Sequence, residues 1–511
     1  MLVVFFGLMI GVGIYCRKHS NSVDGFVLGG RSVGPWLSAF AYGTSYFSAV
    51  ILVGYSGQFG WKYGISSTWI GLGNAIIGSY LAWTILGRRT RVMTQHLGSS
   101  TMPDFFEKRY NSPALRTGAA LIVFLFLIPY AASLYNGLSR LFAMAFHIDY
   151  TVCIILMTVL TAIYVVAGGY MATVINDFIQ GVIMLFGIVA ILAAALDQFG
   201  GLGAAMQSLA EVMDTSVSTA PGAFTSFFGP DPINLLGVVI LTSLGTWSLP
   251  QMTQKFYAIK NESAIVKGTV ISTLFALVVA GGCYFLGGFG RLLSDKVNVA
   301  VEGYDAIIPK MFEPFPVVLM GLVVVLVLSA SMSTLSSLVL TASSTLTLDL
   351  LVPHRKSNAD EQFKVTNIRV FLLIFIVLSG VLAIIQYRFN IAFIAQLMGL
   401  SWGAMAGAFL GPYLWGLYMK KVSTASVWVS FAFGVGTMLL NMLAKPMFPA
   451  LLQSPINCGA FVMLMSLVIV PVVSVFTKKP DASHVEKVFA CYDRTVTVAV
   501  TDSIGPAEEM K

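Results

Sequence analysis

The sequence predicts an all-α polytopic membrane protein of about 13 transmembrane helices, and three observations carry that prediction. Only 10% of the 511 residues are charged while 57% are apolar, against roughly 25% charged in a soluble globular chain. Apolar runs close to the roughly 20 residues that a helix needs to cross a hydrocarbon core recur along the whole chain. These runs do not alternate with period two, which excludes an outer-membrane barrel. The bundle reads as one transmembrane domain, residues 1–479, followed by a short tail at 480–511.

The thirteen apolar stretches run roughly 1–16, 36–58, 67–86, 117–146, 151–167, 178–196, 235–252, 268–290, 317–346, 370–386, 391–418, 425–443 and 458–476. The first is short, and Arg17 and Lys18 follow it. A cleaved signal carries its bases before the apolar core, so this stretch reads as a span. An N-terminus outside places 23 of the 30 Lys and Arg residues on the inner side, including Lys255 and Lys356. The other seven are Lys62, Arg140, Arg291, Lys296, Lys310, Arg388 and Lys445. That asymmetry sets the expected orientation, with a cytoplasmic C-terminus. The loop 197–232 has four acids and no Lys or Arg, consistent with an outer position. The net charge of +7 lies in short loops and forms no basic face for nucleic acid. The five cysteines are scattered without a CxxC, so neither a disulfide framework nor a metal site follows.

Three spans depart from the Leu/Val/Ile pattern. The second reads AYGTSYFSAVILVGYSG, with Gly43, Thr44, Ser45 and Ser48 at mid-membrane. The seventh reads LTSLGTWSLPQ, with Gly245 and Pro250. Proline removes a backbone donor and clashes with the preceding turn, and glycine weakens a helix. The unpaired groups of a broken helix are tolerated in a membrane only where protein or a polar cavity satisfies them. One such span alone reads most simply as a packing kink. Two of them, five spans apart, imply a unit of five helices repeated in the opposite sense. The repeats then cover about 36–196 and 235–418, and paired breaks of this kind point to a midplane site.

The ninth span carries LSASMSTLSS. Ala330, Ser333, Thr334 and Ser337 follow i, i+3, i+4, i+7 and share one helix face. Such hydroxyls commonly bond a neighbouring helix; they also suit a hard cation, which takes hydroxyl and carbonyl oxygens. In the eleventh span Gly399, Gly403, Gly407 and Gly411 form a small-residue stripe suited to close packing. Asp177 is expected to open the sixth span, either as a functional intramembrane carboxylate or as a charge at a helix N-terminus. Arg140 is expected to reach outward from the fourth.

In order and spacing, FVLGGRSVGPW (26–36), TMPDFFEKRY (101–110), GGYMATVINDFIQG (168–181), LPQMTQKF (249–256) and ASMSTLSS (330–337) resemble the sodium/solute symporter family, over about residues 1–480. The resemblance implies a leucine-transporter-type fold, with a ten-helix inverted-repeat core at spans 2–11. It implies a sodium site from the carbonyls of Thr44 and Phe47, the carbonyl of Ala330 and the hydroxyls of Ser333 and Thr334. Asp177 matches the family carboxylate linked to sodium passage. Implied solute positions are Tyr46, Ser48, Val50, Tyr130, Thr242, Thr246 and Pro250. Proline carriers of the family have an aspartate at the position of Tyr46 and aromatic residues at those of Val50, Thr242 and Thr246. Pantothenate carriers look closer in the second span, at Tyr46–Phe47–Ser48–Ala49.

The expected function is therefore sodium-coupled uptake of a small organic solute across the plasma membrane by alternating access. The solute is an organic acid, such as pantothenate or a monocarboxylate, or an amino acid. Sodium, the solute and the bilayer are the expected partners, with no cofactor and no nucleic acid. A proton-coupled carrier and a passive facilitator or channel of the same fold are the alternatives. No HExxH motif, P-loop or nucleophile–base pair suggests an enzyme. The short tail argues against a fused signalling domain, so a transporter-like sensor is not expected.

Overall fold

The computed structural model describes residues 1–16, 22–218, 221–355, 359–389 and 394–493. Arg17, Lys18, Lys356 and the tail from 494 onward lie outside them. Among the described residues the chain is helical, with isolated bridges such as Val33–Ile259 and no strand. The helices that position the site are α1 (Leu2–Cys16), α2 (Pro35–Tyr46), α3 (Ser56–Tyr63), α4 (Thr68–Gly73), α5 (Pro113–Phe146), α6 (Tyr150–Gln198), α7 (Pro232–Leu244), α8 (Pro250–Ala258), α9 (Glu262–Gly287), α10 (Val317–Thr345), α11 (Glu361–Phe389), α12 (Ile394–Tyr418), α13 (Thr424–Leu443) and α14 (Pro455–Phe476). Two π-helical stretches carry the chain on from α4 to the helix Arg88–His96.

Local sequence explains where these helices begin. Pro35, Pro113, Pro232, Pro250 and Pro455 each open a helix, where a missing N–H costs nothing and the fixed φ is already helical. Asp231 and Asn261 cap α7 and α9 with side-chain oxygens on the N–H groups of Asn234 and Ala264.

Nine helical segments of the described residues are long and apolar enough to cross a membrane, or ten if the bent pair α7–α8 is one span. Leu2–Cys16 and Tyr150–Ile163 are shorter apolar helices. The expected fifth and sixth spans run into one another in α6, which turns at Gly169 (φ 59°, ψ −163°). The second part therefore starts at Gly169. Asp177 lies about two turns inside it and is fully buried. This corrects the expectation that it opens a helix: the residues from Tyr170 to Asn176 are all compatible with helix, and only Gly169 adopts the left-handed φ that turns the chain.

The glycine stripe of α12 is a packing surface. A Cβ on Gly403 would lie 2.8 Å from the Cα of Gly459 in α14 and 2.7 Å from the Met438 methyl in α13. One on Gly411 would strike the Ser466 carbonyl. Small residues here let three helix backbones meet.

Candidate ion and solute site

The first break follows α2. After Tyr46, Phe47 is extended (φ −94°, ψ 104°), and the chain resumes as a π-helical stretch at Val50–Tyr55 before α3. The Phe47 N–H still bonds the Gly43 carbonyl at 3.2 Å, and the Ser48 carbonyl accepts from Ile51 and Leu52 at 3.0 Å. The Thr44 carbonyl turns to α10 instead. Ser333 Oγ lies 3.1 Å from it and Thr334 Oγ1 3.0 Å. Both hydroxyls are also 3.1 Å from the Ala330 carbonyl. Four oxygens from two helices thus converge in a buried cluster, and Phe47, three residues after Thr44, is buried as well. Each hydroxyl has one proton for two carbonyls, so the cluster has lone pairs to spare for a cation.

A second polar chain lies beside this cluster. Ser45 Oγ and Ser337 Oγ are 2.8 Å apart. Lys255 Nζ donates to Ser337 Oγ at 3.0 Å and lies 3.7 Å from an Asp177 carboxylate oxygen. The Tyr170 ring faces the same ammonium at 5.1 Å. Lys255 is 1% exposed and Asp177 0%. Placing Lys255 among the inner loop bases is therefore corrected. A helix that begins at Pro250 carries residue 255 about 7 Å onward into protein.

The expected solute residues divide into two groups. The Tyr46 and Tyr130 rings both meet Trp402 of α12, with centroids 6.1 and 5.8 Å away. Gly245 faces the same indole, where an added Cβ would come within 2.6 Å. Trp402 was not predicted; it stands inside the glycine stripe, and only the fold turns it toward the break. The Tyr46 hydroxyl, Ser48 Oγ, Ser248 Oγ and the Gln251 side-chain amide are buried with no hydrogen-bond partner, a set of polar groups that a bound solute could satisfy. Thr242 and Thr246 form the other group. Their hydroxyls are committed to backbone carbonyls, Thr242 to Val238 at 2.9 Å and Thr246 to Gly78 at 2.9 Å and Ser243 at 2.8 Å. Val50 and Pro250 are buried where the two broken helices resume; α7 with its short 3-10 turn is bent by 41° against α8.

At the end of the bundle that the charge pattern puts outside, a polar cavity of about 640 Å³ is lined by Gln58, Lys62, Asp231, Arg291, Lys445 and Asn457, among others. Arg291 pins the long loop over it through Asp214 at 2.7 Å. Hydrogen bonds from Ser216 and from Arg291 hold the Asp214 carboxyl below the usual range. Arg140 does not simply reach for solvent, since its Nε lies 3.9 Å from Asp305.

Two helices broken within a bundle, with a buried oxygen cluster and a cluster of aromatic rings at the breaks, define the architecture of a secondary transporter. A solved structure of a Na+-coupled sialic acid symporter, in its substrate-bound outward-open state, superposes with a TM-score of 0.74 at 17% identity, covering 94% of this chain and 98% of that one. The fold is thus the leucine-transporter type. The model of the sodium:solute symporter family matches residues 26–434, and the chain belongs to that family. Relatives include the osmoregulated proline transporter OpuE of Bacillus subtilis (strain 168), 27% identical over 86% of this chain and 87% of the relative. The sodium/proline symporter of Staphylococcus aureus (strain JH9) is 28% identical over 94% and 93%.

Proposed function

We propose that the chain carries a small organic solute into the cell across the plasma membrane together with sodium. The carbonyls of Thr44, Phe47 and Ala330 and the hydroxyls of Ser333 and Thr334 hold the ion. One observation carries this reading above the others: the two hydroxyls of α10 meet the Thr44 carbonyl at the break of α2. An ion there ties two helices that must part when the carrier opens inward, so its binding biases the two states.

The solute sits between Tyr46, Ser48, Tyr130, Trp402 and the start of α8. The polar groups of that pocket are uncharged, and the N-terminus of a half-helix favours a carboxylate. An amino acid or small organic acid fits both features. Proline, the solute named for the relatives, is a candidate of this class, beside pantothenate and monocarboxylates. Asp177, paired with Lys255 beside the ion site, is the carboxylate linked to sodium passage, with the N-terminus outside and the C-terminus cytoplasmic.

The test is uptake by proteoliposomes. An inward sodium gradient is expected to drive radiolabelled proline or pantothenate above its external concentration, and a sodium ionophore to abolish the accumulation. A proton gradient serving equally well without sodium would favour proton coupling. Equilibration without accumulation would favour a facilitator.

A further inference from the structure

Resting on the sodium reading above, we propose that Lys255 is a tethered cation that fills a second cation position next to the first, so that the chain binds one free sodium ion and not two. The Asp177 carboxylate, 3.7 Å away, and the Ser337 hydroxyl, 3.0 Å away, converge on its ammonium. Ser45 bonds Ser337 at 2.8 Å and the Tyr170 ring completes the enclosure at 5.1 Å. A carboxylate with hydroxyl oxygens is the ligand set that a hard cation takes. Ser45 adjoins Thr44, and Ser337 lies one helical turn from Ser333 and Thr334, so the two cation positions share both helices. Here the second is occupied by the protein itself.

The electrostatics favour this arrangement. Asp177 and Lys255 are both withdrawn from water, where a lone buried carboxylate is strongly unfavourable and a paired one is tolerated. A free ion placed on Asp177 would sit against the ammonium, and like charges repel strongly in a medium of low dielectric. Lys255 therefore neutralises Asp177 permanently while its bond to Ser337 stays on the helix that carries the ion site. It is a positioning residue that sets the ion count.

The experiment is equilibrium binding of radioactive sodium to the purified full-length protein. The wild type is expected to bind one sodium per chain, and Ser333→Ala with Thr334→Ala to lose it. Lys255→Met frees Asp177 and Ser337, and is expected to bind two, with sodium activation of uptake becoming sigmoidal. Adding Asp177→Asn returns the count to one. Two ions on the wild type would overturn the proposal without any variant, and so would one ion on a well-folded Lys255→Met protein. Absence of bound sodium on the wild type would overturn the sodium site as well as this inference.

Discussion

The two broken helices are built differently, and the contrast shows how their work is divided. At the first break, between α2 and the π-helical stretch at Val50, the backbone is extended at Phe47. The Thr44 carbonyl is turned to another helix, and the Ser48 hydroxyl has no partner. At the second, between α7 and α8, a 3-10 turn and Pro250 make the bend, and the threonine hydroxyls are already satisfied by carbonyls. Here Gly245 lets the chain pack under Trp402, and the Ser248 hydroxyl and the Gln251 amide have no partner. On the reading proposed above, the first break presents oxygens to the ion and the second shapes a wall for the solute.

Substitutions can break or sharpen this division. The largest effect is expected from Ser333→Ala with Thr334→Ala, which removes the two α10 hydroxyls that meet the Thr44 carbonyl at the first break. Half-saturating sodium for uptake should rise by at least the roughly 10- to 100-fold that losing supporting groups around a metal costs. Membrane insertion should be unchanged, and an unaltered sodium dependence would remove the ion from this break. Gly245→Leu comes next. Overpacking against Trp402 should cost about 1–3 kcal/mol of stability and weaken solute binding, with sodium binding measured alone left intact. A joint loss of both would mean that the breaks do not divide the work.

Smaller effects distinguish the hydroxyls. Ser48→Ala deletes an unpaired buried hydroxyl, so stability in a thermal melt should hold or rise. Solute affinity should fall by about 1 kcal/mol if the solute supplies its missing bond. Thr246→Val should do the reverse, lowering stability by about 1 kcal/mol through the lost bond to Gly78 while leaving affinity within a factor of about two. A large affinity loss there would return Thr246 to the solute contacts.

Much of this was legible in the sequence because membranes simplify the reading. Apolar runs mark the spans, and the Ala330–Ser333–Thr334–Ser337 period marks a polar face on α10. Glycine, serine and proline betray both breaks. The depth of Asp177 was hidden because YMATVIND reads equally as a loop or a helix, and the turn falls at Gly169, at φ 59° and with Phe26 3.0 Å from where its Cβ would be. Lys255 was hidden because a lysine after an apolar run normally marks the membrane edge; its carboxylate partner is 78 residues earlier and is brought to it by the fold. Trp402 was hidden by the small residues around it, whose packing role masks the one large ring that turns toward Tyr46 and Tyr130.

The central claim is that sodium joins the first break to α10. Backbone hydrogen exchange, compared in sodium and in potassium at equal ionic strength, tests it directly. Sodium is expected to slow exchange at residues 44–49 and 330–337 together, and Ser333→Ala with Thr334→Ala to erase the difference. Equal exchange in the two salts, or protection confined to other helices, would contradict it.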